Sequence, residues 1–127
     1  MGSIGRFNRY AHALINERAG MLSRREKIEA LLSQEPGDAF LRYGLAIELD
    51  NEGRTQESIE LFHGLMRDQP PHVAAFFRGA QLLVRLDRLA DARAWLREGI
   101  GEARRQGDAH AAGEMSELLT SLGNLGE

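Results

Sequence analysis

The sequence contains no cysteine. Disulfide bonds, thiol nucleophiles and thiolate metal sites are therefore excluded, and we expect a cytoplasmic protein. No apolar run approaches the roughly 20 residues that a membrane-spanning helix needs. The segment before Met21 also lacks the apolar stretch of a secretory signal, so no membrane association is expected.

A large excess of charge of either sign is also missing. The chain carries 16 basic and 19 acidic residues and a net charge of -3, which weakens any attraction to phosphate backbones. The arginines clustered between Arg85 and Arg105, Arg93 among them, are interpreted as solvated side chains on helix faces. We therefore expect no nucleic-acid partner.

Catalytic and cofactor-binding motifs are absent as well. The sequence has no nucleophile-elbow, Walker or dinucleotide-binding glycine pattern. None of its four histidines stands at a metal-ligand spacing from another ligand. The sequence predicts a protein that is not an enzyme and that holds no metal and no cofactor.

Proline is scarce, with three residues in the chain, and it marks breaks in a helical pattern. Between the breaks, apolar residues recur every three and four positions over segments of about 12 to 16 residues, the spacing of an amphipathic helix. Such short connections force neighbouring helices to pack antiparallel. The fold class predicted is all-α, with breaks at Pro36-Gly37-Asp38, Asn51-Glu52-Gly53, Gln69-Pro70-Pro71, Leu86-Asp87-Arg88 and Gln106-Gly107-Asp108.

A repeat is present in the stretch LAIELDNEGRTQESIELF, which begins at Leu45, and in GAQLLVRLDRLADARAWL, which begins at Gly79. Small residues occupy equivalent positions in both, where two helices of a hairpin would cross closely. Larger apolar residues lie about one turn away. The equivalent pairs are Ala46 and Ala80, Leu49 and Leu83, Ser58 and Ala92, Phe62 and Leu96, and Pro36 and Pro70.

These residues resemble the tetratricopeptide repeat (TPR), whose 34-residue pattern is W-x2-L-G-x2-Y, then A-x3-F, then P. The first unit reads Arg42-x2-Leu45-Ala46-x2-Leu49, then Ser58-x3-Phe62, then Pro70; the second reads Phe76-x2-Gly79-Ala80-x2-Leu83, then Ala92-x3-Leu96. Arg42 departs from the large apolar residue of the pattern, and the second unit lacks the proline. The resemblance implies a right-handed α-solenoid of antiparallel helix hairpins.

The resemblance also divides the chain. It implies a domain over residues 21–127, with one repeat at 39–72, a second at 73–106 and a capping helix at 108–122. Residues 1–20 have two interpretations. They form either an added leader or a degenerate first helix that uses Phe7, Ala11, Leu14 and Ile15.

Some residues within the repeats are expected to serve helix packing alone. Glycines inside the helical segments predict close contacts between helices, at Gly44, Gly79 and Gly99. Trp95, next to the Leu96 slot of the second hairpin helix, is interpreted as inter-helix packing.

In the TPR family, the first helix of each repeat builds an inner wall that binds peptides or helices of other proteins. Carried onto this chain, the resemblance predicts a peptide-binding site at Phe40, Tyr43, Ile47, Phe77, Arg78 and Gln81. Other slots on the same wall fall at Asp50, Ala74, Val84, Ala111 and Met115.

The site residues predict a hydrophobic peptide or helix of another protein as the partner, with Arg78 and Gln81 as polar anchors. The family's carboxylate clamp is not expected, because Tyr43 and Ile47 occupy slots where the clamp has lysine and asparagine. Two alternatives stay open. Phe40, Ile47 and Phe77 belong to the core, or the same apolar wall closes on a second copy of the chain as a homodimer.

Overall fold

The protein is described by a computed structural model that covers residues 20–123. This part of the chain is helical throughout and contains no strand, so the all-α prediction is confirmed. None of its helices is long and apolar enough to cross a membrane. The two interpretations of residues 1–20 concern a segment that lies, apart from Gly20, outside the described residues.

The helices are α1 (Arg24–Leu32), α2 (Ala39–Asn51), α3 (Thr55–Met66), α4 (Val73–Arg85), α5 (Leu89–Arg105) and α6 (Ala109–Leu122).

Three helices begin at side-chain caps formed by serine and aspartate, residue types that favour this position. Ser23 and Glu26 form a capping box at α1, in which the Glu26 amide donates to Ser23 Oγ at 3.1 Å and the Ser23 amide donates to Glu26 Oε1 at 3.0 Å. The hydrogen bond that the Ser23 amide donates to the Glu26 carboxyl, with a smaller effect of the Ser23 hydroxyl, holds the pKa of that carboxyl below its ordinary value. Asp38 and Asp108 cap α2 and α6 by accepting backbone amides at 2.9 and 3.0 Å. Such caps satisfy backbone donors that a helix leaves open.

The turns inside the two hairpins are equivalent. Gly53 has φ +80°, and Asp87, at the same place in the next repeat, has φ +60°. In both turns the following arginine amide donates back to a leucine carbonyl, Arg54 to Leu49 at 2.8 Å and Arg88 to Leu83 at 2.9 Å. A residue with a left-handed backbone conformation at this position ends the helix and lets the following amides bond to its last carbonyls. The predicted turns are thus confirmed by backbone geometry.

Small residues stand where the helices of each hairpin cross. Ser58 of α3 and Ala46 of α2 are both fully buried, and Ser58 Oγ donates to the Ala46 carbonyl at 2.6 Å. Ala80 and Ala92 occupy the equivalent places in α4 and α5 and are also fully buried. The hydroxyl of Ser58 therefore has its hydrogen-bond partner inside the core, which removes the cost of burying it.

The core runs through α2 to α6 and includes the fully buried side chains of Leu65, Phe76, Leu83 and Leu96. Helix α1 contributes no buried residue to it. The sequence alone does not indicate this difference, because α1 has its own apolar residues.

Helices α4, α5 and α6 approach one another closely at Gly99. A Cβ at this position would lie 2.6 Å from both Phe76 Cβ and Met115 Sδ. Gly79 of α4 makes a similar contact, since its Cβ would lie 2.2 Å from Cζ3 of Trp95. The close contacts predicted at these glycines, and the inter-helix packing predicted for Trp95, are confirmed.

Arg93 of α5 is 2% exposed, so the expectation that it is solvated is wrong. Its Nε donates to the Gly123 carbonyl at 3.1 Å, at the end of α6. A cation is favourable at a helix C-terminus, where carbonyl groups carry partial negative charge. Arg93 therefore helps to hold α6 against α5. This role depends on a contact with a residue 30 positions further along the chain.

Replacing Gly99 with alanine should destabilise the fold, because Phe76 and Met115 are fully buried and have no space to move into. We expect Gly99→Ala to lower the free energy of unfolding by about 1–3 kcal/mol, the cost of overpacking a core. The measurement is urea denaturation followed by circular dichroism. The matched control is Gly113→Ala at an exposed position of α6, where a Cβ meets nothing within 4 Å; it should stabilise by about 0.5–1 kcal/mol. A Gly99→Ala midpoint at or above that of the parent chain would contradict the packing.

Candidate functional site

A groove with a volume of about 470 Å³ opens along α2, α4 and α6. Helices α2 and α4 are the first helices of the two hairpins, and α6 follows them in the same position. We call this cavity the α2–α4–α6 groove. Its lining includes Tyr43, Ala74, Phe77, Arg78, Gln81, Ala111 and Glu114.

The floor of the groove is a row of equivalent residues. Tyr43, Phe77 and Ala111 follow one another at intervals of one repeat, and all three line the cavity. Because each repeat places the same slot in the same orientation, the register of the repeat alone aligns them. The result is a continuous apolar strip that spans three helices.

Tyr43 and Phe77 each have one face in the core and another in the groove. Both are half-buried and pack against the core cluster. The Tyr43 ring contacts the Phe62 ring edge-to-face at 5.9 Å between centroids, and the His72 ring at 5.1 Å. Burial raises the pKa of the Tyr43 phenol, against a smaller opposing effect of Arg78. Tyr43 thus keeps its proton and can donate a hydrogen bond.

The polar rim of the groove carries opposite charges on its two sides. On α4, Arg78 and Gln81 are exposed, and Arg78 forms no ion pair with any carboxylate between residues 20 and 123. On α6, Glu114 lies 3.3 Å from His110 Nε2, and Asp108 is engaged as the helix cap. Beside its apolar floor, the groove therefore offers a guanidinium that has no ion-pair partner in the described part of the chain.

The structure brings four of the six predicted site residues into this groove, namely Tyr43, Phe77, Arg78 and Gln81. The remaining two lie elsewhere. Phe40 is 80% exposed near the start of α2, and Ile47 is half-buried against the core; neither lines the cavity.

The capping helix α6 differs from the sequence-based assignment. Met115, assigned to the inner wall, is fully buried beneath Gly99, so that assignment is wrong. The lining residues Val73, Asp108, His110 and Glu114 were missed. The repeat register was a signal for one of them, because Asp108 stands in the slot that Ala74 occupies one repeat earlier.

Arg42, which departs from the repeat pattern, forms a two-point ion pair with Asp68. The distances are 2.8 Å from Nη1 to Oδ2 and 3.2 Å from Nη2 to Oδ1, and both side chains are partly buried. A planar guanidinium suits such a bidentate contact. The pair holds the segment after α3, which leads to His72 beside the Tyr43 ring. Between residues 20 and 123, no cluster of histidine and carboxylate side chains could hold a metal ion.

We expect the folded-state pKa of His72 to lie below the ordinary histidine value. Burial lowers it, Arg42 lowers it further, and Asp68 opposes the shift. Because the unfolded chain then binds more protons, the stability linked to His72 is present above the unfolded pKa and is lost as the pH falls below it. An NMR titration of the His72 ring measures the pKa directly. Thermal unfolding at about pH 7.5 and about pH 5.5, compared with His72→Asn, checks the sign. A His72 pKa at or above the ordinary value would contradict the dominant effect of burial.

Neither a comparison with protein-family models nor one with curated proteins gives a match. Among solved structures, the chain is similar to a solution NMR structure of a tetratricopeptide repeat domain protein from Salinibacter ruber. The two are 30% identical with a TM-score of 0.67, over 71% of this chain and 91% of the other. The neighbour and the all-helical architecture confirm the α-solenoid prediction. The chain therefore belongs to the tetratricopeptide repeat family.

Proposed function

We propose that this chain is a non-enzymatic protein–protein interaction module that binds a hydrophobic peptide or helix of a partner in the α2–α4–α6 groove. The observation that carries the proposal is the row of Tyr43, Phe77 and Ala111 in an open cavity of about 470 Å³. Membership of the tetratricopeptide repeat family supports a general role in binding proteins. A cytoplasmic location stays a prediction.

The aromatic pair in the groove is suited to binding because it is held in place before a partner arrives. The contacts of Tyr43 with Phe62 and His72 fix its ring in the unbound protein. Phe77 packs on the same core. Residues that are already ordered lose little conformational entropy on binding, so more of the contact energy appears as affinity. Aromatic residues also contribute much of the binding energy at protein interfaces.

The polar rim favours a partner with an acceptor group beside its apolar anchor. Arg78 is exposed and Gln81 lies one turn further along α4. A carbonyl or a single carboxylate of the partner could accept hydrogen bonds from both. The family's carboxylate clamp uses several cations, whereas this rim has one guanidinium and no lysine. We therefore do not propose such a clamp here.

Binding is tested with a random-peptide display library against the purified full chain. We expect enriched peptides that contain large apolar residues. Tyr43 and Phe77 belong partly to the core, so the decisive variants change residues exposed in the groove. Ala74→Glu places a carboxylate on the apolar floor and should weaken binding at least about tenfold, which corresponds to about 1.4 kcal/mol. Arg78→Ala should weaken it as well, by a smaller factor.

The control is Glu60→Ala, an exposed residue of α3 outside the groove, and circular dichroism should show unchanged helicity in every variant. If no peptide is enriched, or if enriched peptides bind Ala74→Glu as tightly as the parent, the groove is not the binding site.

The homodimer alternative is distinguished by solution mass. For partner binding with a free groove, light scattering should give the chain mass of 14.1 kDa. A species of twice that mass that Ala74→Glu converts to monomer would instead assign the groove to self-association.

A further inference from the structure

Two walls of the α2–α4–α6 groove are helices that run in the same direction. Helices α4 and α6 both pack on α5, and short connections make each of them antiparallel to it. On α4 the lining extends from Val73 to Gln81, and on α6 from Asp108 to Glu114. At a rise of about 1.5 Å per residue, the α4 wall is about 12 Å long, or about two helical turns. A short segment that lies along both walls therefore fits the groove.

The floor of the groove favours a helix over an extended segment. Apart from the Tyr43 hydroxyl, its side chains form no hydrogen bonds, since Ala74, Phe77 and Ala111 are apolar. An extended segment would place backbone amides and carbonyls against this surface, and removing them from water without a hydrogen-bond partner is costly. A helix satisfies its backbone groups internally and turns one apolar stripe toward the floor.

The two edges of the groove carry opposite charges that do not meet. Arg78 is exposed on α4. On α6, Glu114 Oε1 lies 3.3 Å from His110 Nε2, and Asp108 is engaged as the helix cap. Within residues 20–123, Arg78 forms no ion pair with these two carboxylates or with any other. Each edge therefore presents its own charge to a segment that lies on the floor.

We propose that the partner segment is an amphipathic helix with bases along one flank of its apolar stripe and acids along the other. The bases face Glu114 and the acids face Arg78. This inference rests on the proposed function and narrows its partner to one class. A bound helix excludes water from the floor, and a like charge that faces either edge is then unfavourable. A helix with acids on both flanks meets this repulsion at Glu114, and one with bases on both flanks meets it at Arg78.

The same charges set the direction in which the helix lies. Turning an amphipathic helix end for end, with its apolar stripe kept on the floor, exchanges its two flanks. In one direction both edges face an opposite charge, and in the other both face a like charge. Repulsion in the wrong arrangement gives specificity even where the correct ion pairs add little affinity.

The test uses three synthetic peptides of about 14 residues, or about four helical turns. They share one stripe of leucines at helical spacing and carry glutamate on one flank and lysine on the other, glutamate on both, or lysine on both. Calorimetry measures their binding to the purified full chain at about 50 mM salt, where screening is weaker than at physiological ionic strength. We expect the mixed peptide to bind about two- to fivefold more tightly than either uniform peptide, the effect of one exposed ion pair.

Charge-reversed chains test the two edges separately. Arg78→Glu should make the lysine peptide the tightest of the three, and Glu114→Lys should do the same for the glutamate peptide. The matched controls are Arg97→Glu on α5 and Glu117→Lys on α6, two exposed residues that do not line the groove. Each control has the same net charge as its groove variant, so attraction by overall charge would change the preference equally in both. The controls should keep the preference of the parent chain.

The helical form is tested with a mixed peptide that carries a central proline, which should weaken binding at least about tenfold because proline breaks a helix. Unchanged binding would show an extended partner and overturn the proposal. The proposal is also overturned if the three peptides bind alike, or if the charge-reversed chains keep the parent's order of preference; the groove would then remain a binding site.

A different result separates the proposal from the function on which it rests. If none of the three peptides binds, while Ala74→Glu weakens the binding of peptides selected from the random library, the helix is the wrong partner and the proposed function stands. If the library also gives no peptide that depends on Ala74, both fail.

Discussion

The architecture depends on how closely its helices approach. At Gly99 the space for even one methyl group is occupied by Phe76 and Met115, and at Ser58 the side chain reaches the backbone of α2. Contacts of this kind fix the distance and rotation between helices, because protein interiors are packed as densely as organic crystals and contain few voids. Both hairpins place small, fully buried residues at the crossing, Ala46 with Ser58 and Ala80 with Ala92, and the regular stacking follows from this shared feature.

That regularity produces the groove. Residues one repeat apart occupy the same slot of successive units, and Tyr43, Phe77 and Ala111 therefore line one cavity as a row. The row is apolar, yet it is not surplus core. The rings of Tyr43 and Phe77 each pack one face against the core and expose the other to the groove. The apolar surface is therefore held in place and accessible to a partner.

Charges have a separate role. Arg42 pairs with Asp68, and Arg67 with Glu98, between neighbouring helices or their ends. Ion pairs that keep contact with water contribute about 0–1 kcal/mol each to the free energy of unfolding. They therefore stabilise the stack less than core packing does. Arg78 differs because it faces the groove without forming an ion pair with any carboxylate between residues 20 and 123. Its charge is therefore available to a partner.

The sequence by itself determined the helices, the caps at Ser23, Asp38 and Asp108, and the turns, because these depend on neighbours a few residues apart. Its repeat register also determined which residues share a row. Only the tertiary structure decided how far each side chain is buried. Met115 is fully buried, Arg93 is 2% exposed and Leu31 is 51% exposed. Burial depends on which distant helix lies opposite a residue, and neither residue type nor local spacing carries that information.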